Sequence, residues 1–340
     1  MKMLTVCALL CAMMALATAQ SPPDAKSQID KSSKADLVKR SACPYGWTRI
    51  FRRCFRYMST PKRWARAEQH CQRLGGNLAS IHSPKQYRKT QAMISSLTRR
   101  TVGLWIGGSD AQEEKTWLWS DGKEFKYENW CPGQPNNQRD KQHCLAMNYS
   151  VYDFTREEGS LQSSLPALLS VSTISVSIFI IIFTVKMLSV SLLVCAMMAS
   201  IRDAEATTGN NSCGTWTEIK DRCFHFVPTL MKWAKAEKNC QVMGANLASI
   251  RSIEEYHEIQ LMVKTKTHYQ KPVWVGGFDA PQSGVWLWSD GSTFQFTLWC
   301  PGQPSSWWSQ HCLQINYGEG KCWDNTKCNT RLPSICTKKP

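Results

Sequence analysis

The sequence predicts an α+β domain that is present twice. Three observations point there. One framework repeats at an offset of 169 residues: Trp64, Ala67, Glu68, Cys71, Asn77 to Ile81, Trp105, Gly107-Gly108 and Asp110 return as Trp233, Ala236, Glu237, Cys240, Asn246 to Ile250, Trp274, Gly276-Gly277 and Asp279. Each copy opens with helical periodicity and continues with strand-like alternation, the order of an α+β domain. Thirteen of the sixteen cysteines fall inside the two copies, and regular cysteines in a small domain behind a leader read as a disulfide framework. A repeat of this kind sets the domain count before any other feature is weighed.

Residues 1–20 read as a secretory signal, with Lys2, an apolar run and Ala17-Thr18-Ala19 as a small-residue cleavage site. Residues 21–40 are polar and lysine-rich and end in Lys39-Arg40, a propeptide or flexible arm. The first copy then occupies 41–150 and the second 207–340.

The first helix of copy one is expected from about Pro61 to Leu74. Trp64, Ala67-Glu68, Cys71 and Leu74 share one face, Thr60-Pro61 offers an N-cap and a proline at the first helical position, and Gly75-Gly76 stops it. Copy two repeats this from about Thr229 to Met243. A second helix starts at Ser83-Pro84, or at Ser252 with Glu255 three residues on, a capping box. Trp105 to Gly108 and Trp117 to Trp119 then alternate at period two, and Asp121-Gly122 closes a turn. A long segment rich in Gly, Pro, Asn and Gln follows, Cys131 to His143 and Cys300 to His311. Long irregular loops in small domains carry function more often than not.

Residues 151–206 form an apolar linker. Leu165 to Val185 holds 21 residues without a charge, long enough to span a bilayer. Lys186 to Ala199 then repeats the opening leader. A membrane helix between the copies, a membrane anchor for the second copy alone, and two neighbouring gene copies joined in one translation all fit this pattern. The first would leave the cysteines of one copy in a reducing compartment. The joined reading is therefore preferred, membrane insertion of 165–185 is disfavoured, and residues from about 150 to 186 are read as read-through.

The formal net charge of +15 is scattered on helix faces such as Arg63, Arg66 and Arg73. That is a solvated surface and argues against nucleic acid as a partner. None of the seven histidines stands at a nucleophile–base spacing, so the chain does not read as an enzyme.

These motifs resemble the C-type lectin-like domain family. Trp105-Ile106-Gly107-Gly108 and Trp274-Val275-Gly276-Gly277 look like its central core strand, and the helix cysteine, the Trp-x-Trp-Ser-Asp-Gly strand and the Gln-Pro loop come in the expected order. The density of cysteines looks most like the small secreted fish lectins, the ladderlectin and type II antifreeze group. The resemblance implies two helices packed on antiparallel sheets with a long loop region. It also implies disulfides Cys213–Cys223, Cys240–Cys336, Cys312–Cys328 and Cys300–Cys322, with Cys43–Cys54 in the first copy. Copy one follows the repeat to Asn148-Tyr149 and then loses it. It is expected to be C-terminally truncated, to lack its last strands and to be poorly stable, with Cys71, Cys131 and Cys144 unpaired.

Sugar-binding members hold Ca2+ on the long loop, and calcium needs six to eight hard oxygens with net negative charge. Carried over position by position, the second copy offers Gln303, Ser305, Gln310, Asp324 and Asn325, and the first offers Gln134 and Asn136, with Asp140 nearby. Only one carboxylate remains in the second set, so Ca2+ is a candidate cofactor and no more. Trp307-Trp308 is a candidate stacking pair. Asn148 and Asn210 begin glycosylation sequons. The reading is a secreted protein that binds glycans or glycoproteins in innate recognition, with a calcium-independent protein-binding or ice-binding module as the alternative.

Overall fold

The computed structural model describes residues 43–137, 142–148, 164–172, 213–305 and 309–340. The leader, the arm, residues 173–206, Asp140, Asn210, Trp307 and Trp308 lie outside the described residues. Both copies belong to one compact unit, Cys43–Pro340.

The first copy runs β1 (Thr48–Ile50), β2 (Arg53–Lys62), α1 (Trp64–Arg73), β3 (Asn77–Leu78), α2 (Pro84–Thr98), β4 (Leu104–Ser109), β5 (Leu118–Trp119), β6 (Cys144–Met147) and β7 (Leu165–Ser172). The second runs β8 (Thr217–Ile219), β9 (Arg222–Met231), α3 (Trp233–Val242), β10 (Asn246–Leu247), α4 (Ile253–Thr267), β11 (Val273–Phe278), β12 (Leu287–Trp288), β13 (Gln310–Tyr317), β14 (Cys322–Lys327) and β15 (Leu332–Lys338). The sheets follow the orders β1-β2-β7-β4-β5 and β14-β13-β11-β15-β9-β8.

The helix starts differ from expectation. Thr60-Pro61 lie at the end of β2, and α1 begins at Trp64 behind Arg63, which makes no side-chain cap. In the second copy Pro228-Thr229 likewise lie in β9. Pairing to a neighbouring strand, β7 or β15, holds these residues extended against their local helix-start chemistry. Leu74 is exposed, one residue past the helix end. The second helices start as read: the Ser83 and Ser252 hydroxyls accept from the backbone N–H three residues on.

Four tryptophans centre the two cores, and their indole donors are satisfied. Trp64 Nε1 donates to Ile106 O (2.8 Å) and Trp105 Nε1 to Lys62 O (3.0 Å); Trp233 and Trp274 do the same to Val275 O and Met231 O. The Trp105 and Trp274 donors reach the ends of β2 and β9, and the Trp64 and Trp233 donors reach the middle of β4 and β11, so burying the rings leaves no orphan donor.

The largest departure concerns the supposed truncation and linker. Leu165–Ser172 is a strand between β2 and β4: it runs antiparallel to β2, with Cys54 opposite Val171, and parallel to β4, with Trp105 opposite Ala167. It takes the place that β15 takes between β9 and β11. The first copy therefore extends past residue 150 and owns a closing central strand. That stretch is no part of a membrane helix, and among the described residues no helix is long and apolar enough to cross a membrane. A strand covered on both faces is apolar throughout, which is the composition that also reads as a membrane span. A counterpart to β14 is absent from the described residues of the first copy.

Among the described residues five disulfides are present: Cys43–Cys54, Cys213–Cys223, Cys240–Cys336, Cys300–Cys322 and Cys312–Cys328. Cys71 and Cys144 are buried thiols.

The two copies meet through equivalent surfaces. Asn77 Nδ2 donates to Gly291 O (2.9 Å), and Asn246 Nδ2, its counterpart, donates to Gly122 O (2.8 Å). Both glycines have positive φ, and a Cβ on either would crowd the facing turn: on Gly291 it would come within 2.9 Å of Asn77 Nδ2. Each asparagine also donates to the buried glutamate of its own copy, Glu68 (2.7 Å) or Glu237 (2.6 Å). The contact is thus isologous, the form a two-fold dimer takes, here within one chain.

Candidate functional site

The long loop of the second copy is held at both ends by sulfur. Cys300–Cys322 ties its start to β14, and Cys312–Cys328 ties β13 to the turn after β14. Gln303-Pro304 and Gln134-Pro135 are both cis. Between these staples, four of the five residues carried over as calcium ligands converge. Ser305 N donates to Gln303 Oε1 and to Asn325 Oδ1, each at 2.7 Å. The Ser305 hydroxyl donates to Gln310 Oε1, and Asn325 Nδ2 donates to the carbonyls of Ser305 (2.9 Å) and Gln310 (2.6 Å). Asn325 is 1% exposed and Gln303, Ser305 and Gln310 are half-buried, so these oxygens are largely committed to one another.

The fifth residue, Asp324, faces elsewhere. It sits on the opposite side of β14, takes a hydrogen bond from Gln314 Nε2 (2.6 Å), and burial raises its carboxyl above the usual range despite that bond. The converged group therefore carries amides and a hydroxyl and no formal charge. A hard dication gains little from neutral oxygens already committed to N–H and O–H donors. As arranged, these residues do not fit a calcium ion.

In the first copy, Gln134 Oε1 accepts from Asn136 N (3.2 Å), and Asn136 is exposed. Asn137 Oδ1 accepts from Gln142 N (3.0 Å). Nearby, Asp110, Glu114 and His143 bring their polar atoms within 4.8 Å of one another. His143 Nδ1 lies 3.1 Å from Asp110 Oδ1, and Asp110 Oδ2 accepts from Lys115 N. The second copy keeps the pair as His311 and Asp279 (2.9 Å) and has Ser283 where Glu114 stands. With the aspartate capping its turn in both copies, the pair is structural. Sequence reading passed over this pair because each histidine only marked the residue before a cysteine.

Asn148 is half-buried with positive φ, and its Oδ1 accepts from Gln91 Nε2 (3.0 Å), so its amide is engaged.

The Lectin C-type domain matches residues 60–164 and 229–338, together well over half of the chain. The chain belongs to the C-type lectin domain family. It carries that domain twice, and the first match reaches to the edge of β7. A type-2 ice-structuring protein of Osmerus mordax is 40% identical over 161 residues, 44% of this chain and 90% of that protein. Ladderlectin of Oncorhynchus mykiss is 39% identical over 158 residues, 44% of this chain and 83% of that protein. The galactose-specific lectin nattectin of Thalassophryne nattereri is 42% identical over 117 residues, 34% of this chain and 74% of that protein. Each is matched by a stretch about the length of one copy, whereas C-type mannose receptor 2 of Homo sapiens is 25% identical over 313 residues, 88% of this chain and 19% of that protein.

Proposed function

We propose that this chain is a secreted recognition protein whose second lectin-like domain binds glycans through its long loop without calcium. The supporting observation is the closed, uncharged network of Gln303, Ser305, Gln310 and Asn325, with Asp324 turned toward Gln314. A loop that satisfies its own oxygens needs no ion to hold its shape. Recognition then falls to hydrogen bonds and stacking at the loop surface. Five disulfides favour an oxidising, extracellular setting. Relatives named as lectins support the carbohydrate reading.

The test is calorimetric titration of the oxidised full chain with calcium, then with galactose and mannose, each repeated with chelator. The expected outcome is no calcium heat and a sugar isotherm unchanged by chelator. Sugar binding that disappears with chelator overturns the calcium-free reading.

A second reading is favoured by the 40% identity to an ice-structuring protein. It predicts silence toward both sugars and a thermal hysteresis that chelator leaves unchanged.

A further inference from the structure

The contact between the copies has an apolar centre. Trp64 and Leu118 of the first copy and Trp233 and Phe278 of the second belong to one buried cluster. These four also line a small void of about 10 Å³, barely room for a single water. The turns at Gly122 and Gly291 meet closely: a Cβ on Gly122 would lie 3.1 Å from Asp290 Cα, and one on Gly291 would lie 3.1 Å from Asp121 Cα. An apolar centre packed this closely is the form that joins subunits as well as domains.

The rim of the contact breaks its two-fold symmetry. Lys232, at the start of α3, places Nζ 3.1 Å from Glu113 Oε1 of the first copy. Lys235 and Lys238 follow at steps of three, along the same side of the helix. Burial and Lys235 lower the Lys238 ammonium, and Glu128, Glu113 and Glu124 of the first copy pull it back up. Three lysines of α3 thus approach three glutamates of the first copy. Lys123 and Lys126, in the same stretch as those glutamates, are paired with Asp121 and Glu124 of their own copy.

The sequence does not repeat this charge pattern. Where the first copy has Glu113, Glu124 and Glu128, the second has Gln282, Thr293 and Thr297. Where the second copy has Lys232, Lys235 and Lys238, the first has Arg63, Arg66 and Gln69. Two second copies joined by this face would set their lysines against neutral side chains. A second copy finds its acidic rim on a first copy.

We propose that this face is a self-sufficient docking surface, through which the second copy recognises a first copy and stays paired with it without the chain that joins them. The apolar centre supplies affinity, and the lysine–glutamate rim supplies the choice of partner and its register. The second leader-like stretch, Lys186 to Ala199, lies in the joining chain, and the contact is made by residues of the copies themselves.

The test uses the full chain as Cys131→Ser, so that the exposed thiol of the first copy cannot link the pieces, with a site for a sequence-specific protease inserted after Ala206. After cleavage, sedimentation velocity at micromolar concentration is expected to show one species with the mass of the uncut chain. Lys232→Glu, Lys235→Glu and Lys238→Glu together are expected to weaken the cut pair about tenfold, because like charges then face each other. Adding Glu113→Lys, Glu124→Lys and Glu128→Lys to that chain is expected to restore the pair. Arg63→Glu with Arg66→Glu, the repeat positions on α1, is expected to leave pairing unchanged. Each variant is compared with the parent before cleavage by its far-UV spectrum. Two separate species from the cut parent overturn the proposal. So does a cut pair that the lysine reversal leaves undiminished, or one that the arginine reversal weakens equally.

Discussion

Leu169 holds in the first copy the register position that Cys336 holds in the second. Leu169 faces Leu78 across the sheet, and Cys336 faces Leu247, the counterpart of Leu78. Cys240 bridges to Cys336, whereas Cys71, buried on α1, meets the core with a free thiol. The first domain is closed by the same strand as the second but without the staple that fastens it.

Restoring the sulfur is therefore expected to staple it. Leu169→Cys should form a bridge to Cys71 and raise the stability of the first domain by about 2–4 kcal/mol, the usual range for a bridge that closes a long loop. A thiol count lower by one than in the parent chain, with a denaturation transition moved upward, is the expected result. An unchanged Cys71 thiol together with a second reactive thiol would contradict the register.

The copy–copy contact rests on two asparagines. Asn246→Ala removes the donor to Gly122 O and one of the hydrogen bonds held by buried Glu237. The expected cost is about 1–3 kcal/mol for the two hydrogen bonds lost, with Gln241 Nε2 still donating to both acceptors. Hydrogen exchange should rise at Trp119 to Gly122, in the other copy. If exchange changes only near Glu237, the two copies do not meet through this face.

Stability is expected to fall as pH rises toward neutrality. Burial pushes the Glu68 carboxyl up to about 7 although it accepts from Asn77, Leu78 N and Ser120, and Glu237 moves in the same direction for the same reason. A folded-state value raised above that of the unfolded chain means that the folded chain holds the proton more tightly. This contribution is complete below about pH 4 and is lost as pH rises through about 7, a change on the order of 3 kcal/mol for Glu68. Urea midpoints of the full chain should decrease between pH 5 and pH 8, and Glu68→Gln should flatten that slope. A midpoint that climbs over this range in the parent chain would show that other groups dominate.

Carboxylates are expected to convert the closed loop into an ion site. Gln310→Glu together with Asn325→Asp puts two negative charges into the converged group around Ser305. Calcium should then give a measurable isotherm that the parent chain lacks, since affinity rises with ligand charge. Equal response from both chains would mean that the neutral network was never the obstacle.

Much of the fold was legible in the sequence because its signals are local or periodic. The 169-residue repeat located two domains, and Ser83 and Ser252 placed their helix starts correctly. Trp64 and Trp105 read as core and are core. Local signals failed where strand pairing overrode them, as at Thr60-Pro61, which helix-start chemistry assigns to a helix and which lies in β2, paired with β7.

What the sequence by itself determined is the double lectin-like framework and the depletion of carboxylates at the loop, because both follow from residue identity and spacing. What only the tertiary structure decided is the destination of Leu165–Ser172 and the meeting of Asn77 with Gly291. An apolar run has the same composition in a lipid bilayer and between two strands, and a glycine turn shows its partner only when the facing turn is in place. Such features arise from contacts between residues far apart in the chain, which no window of sequence contains.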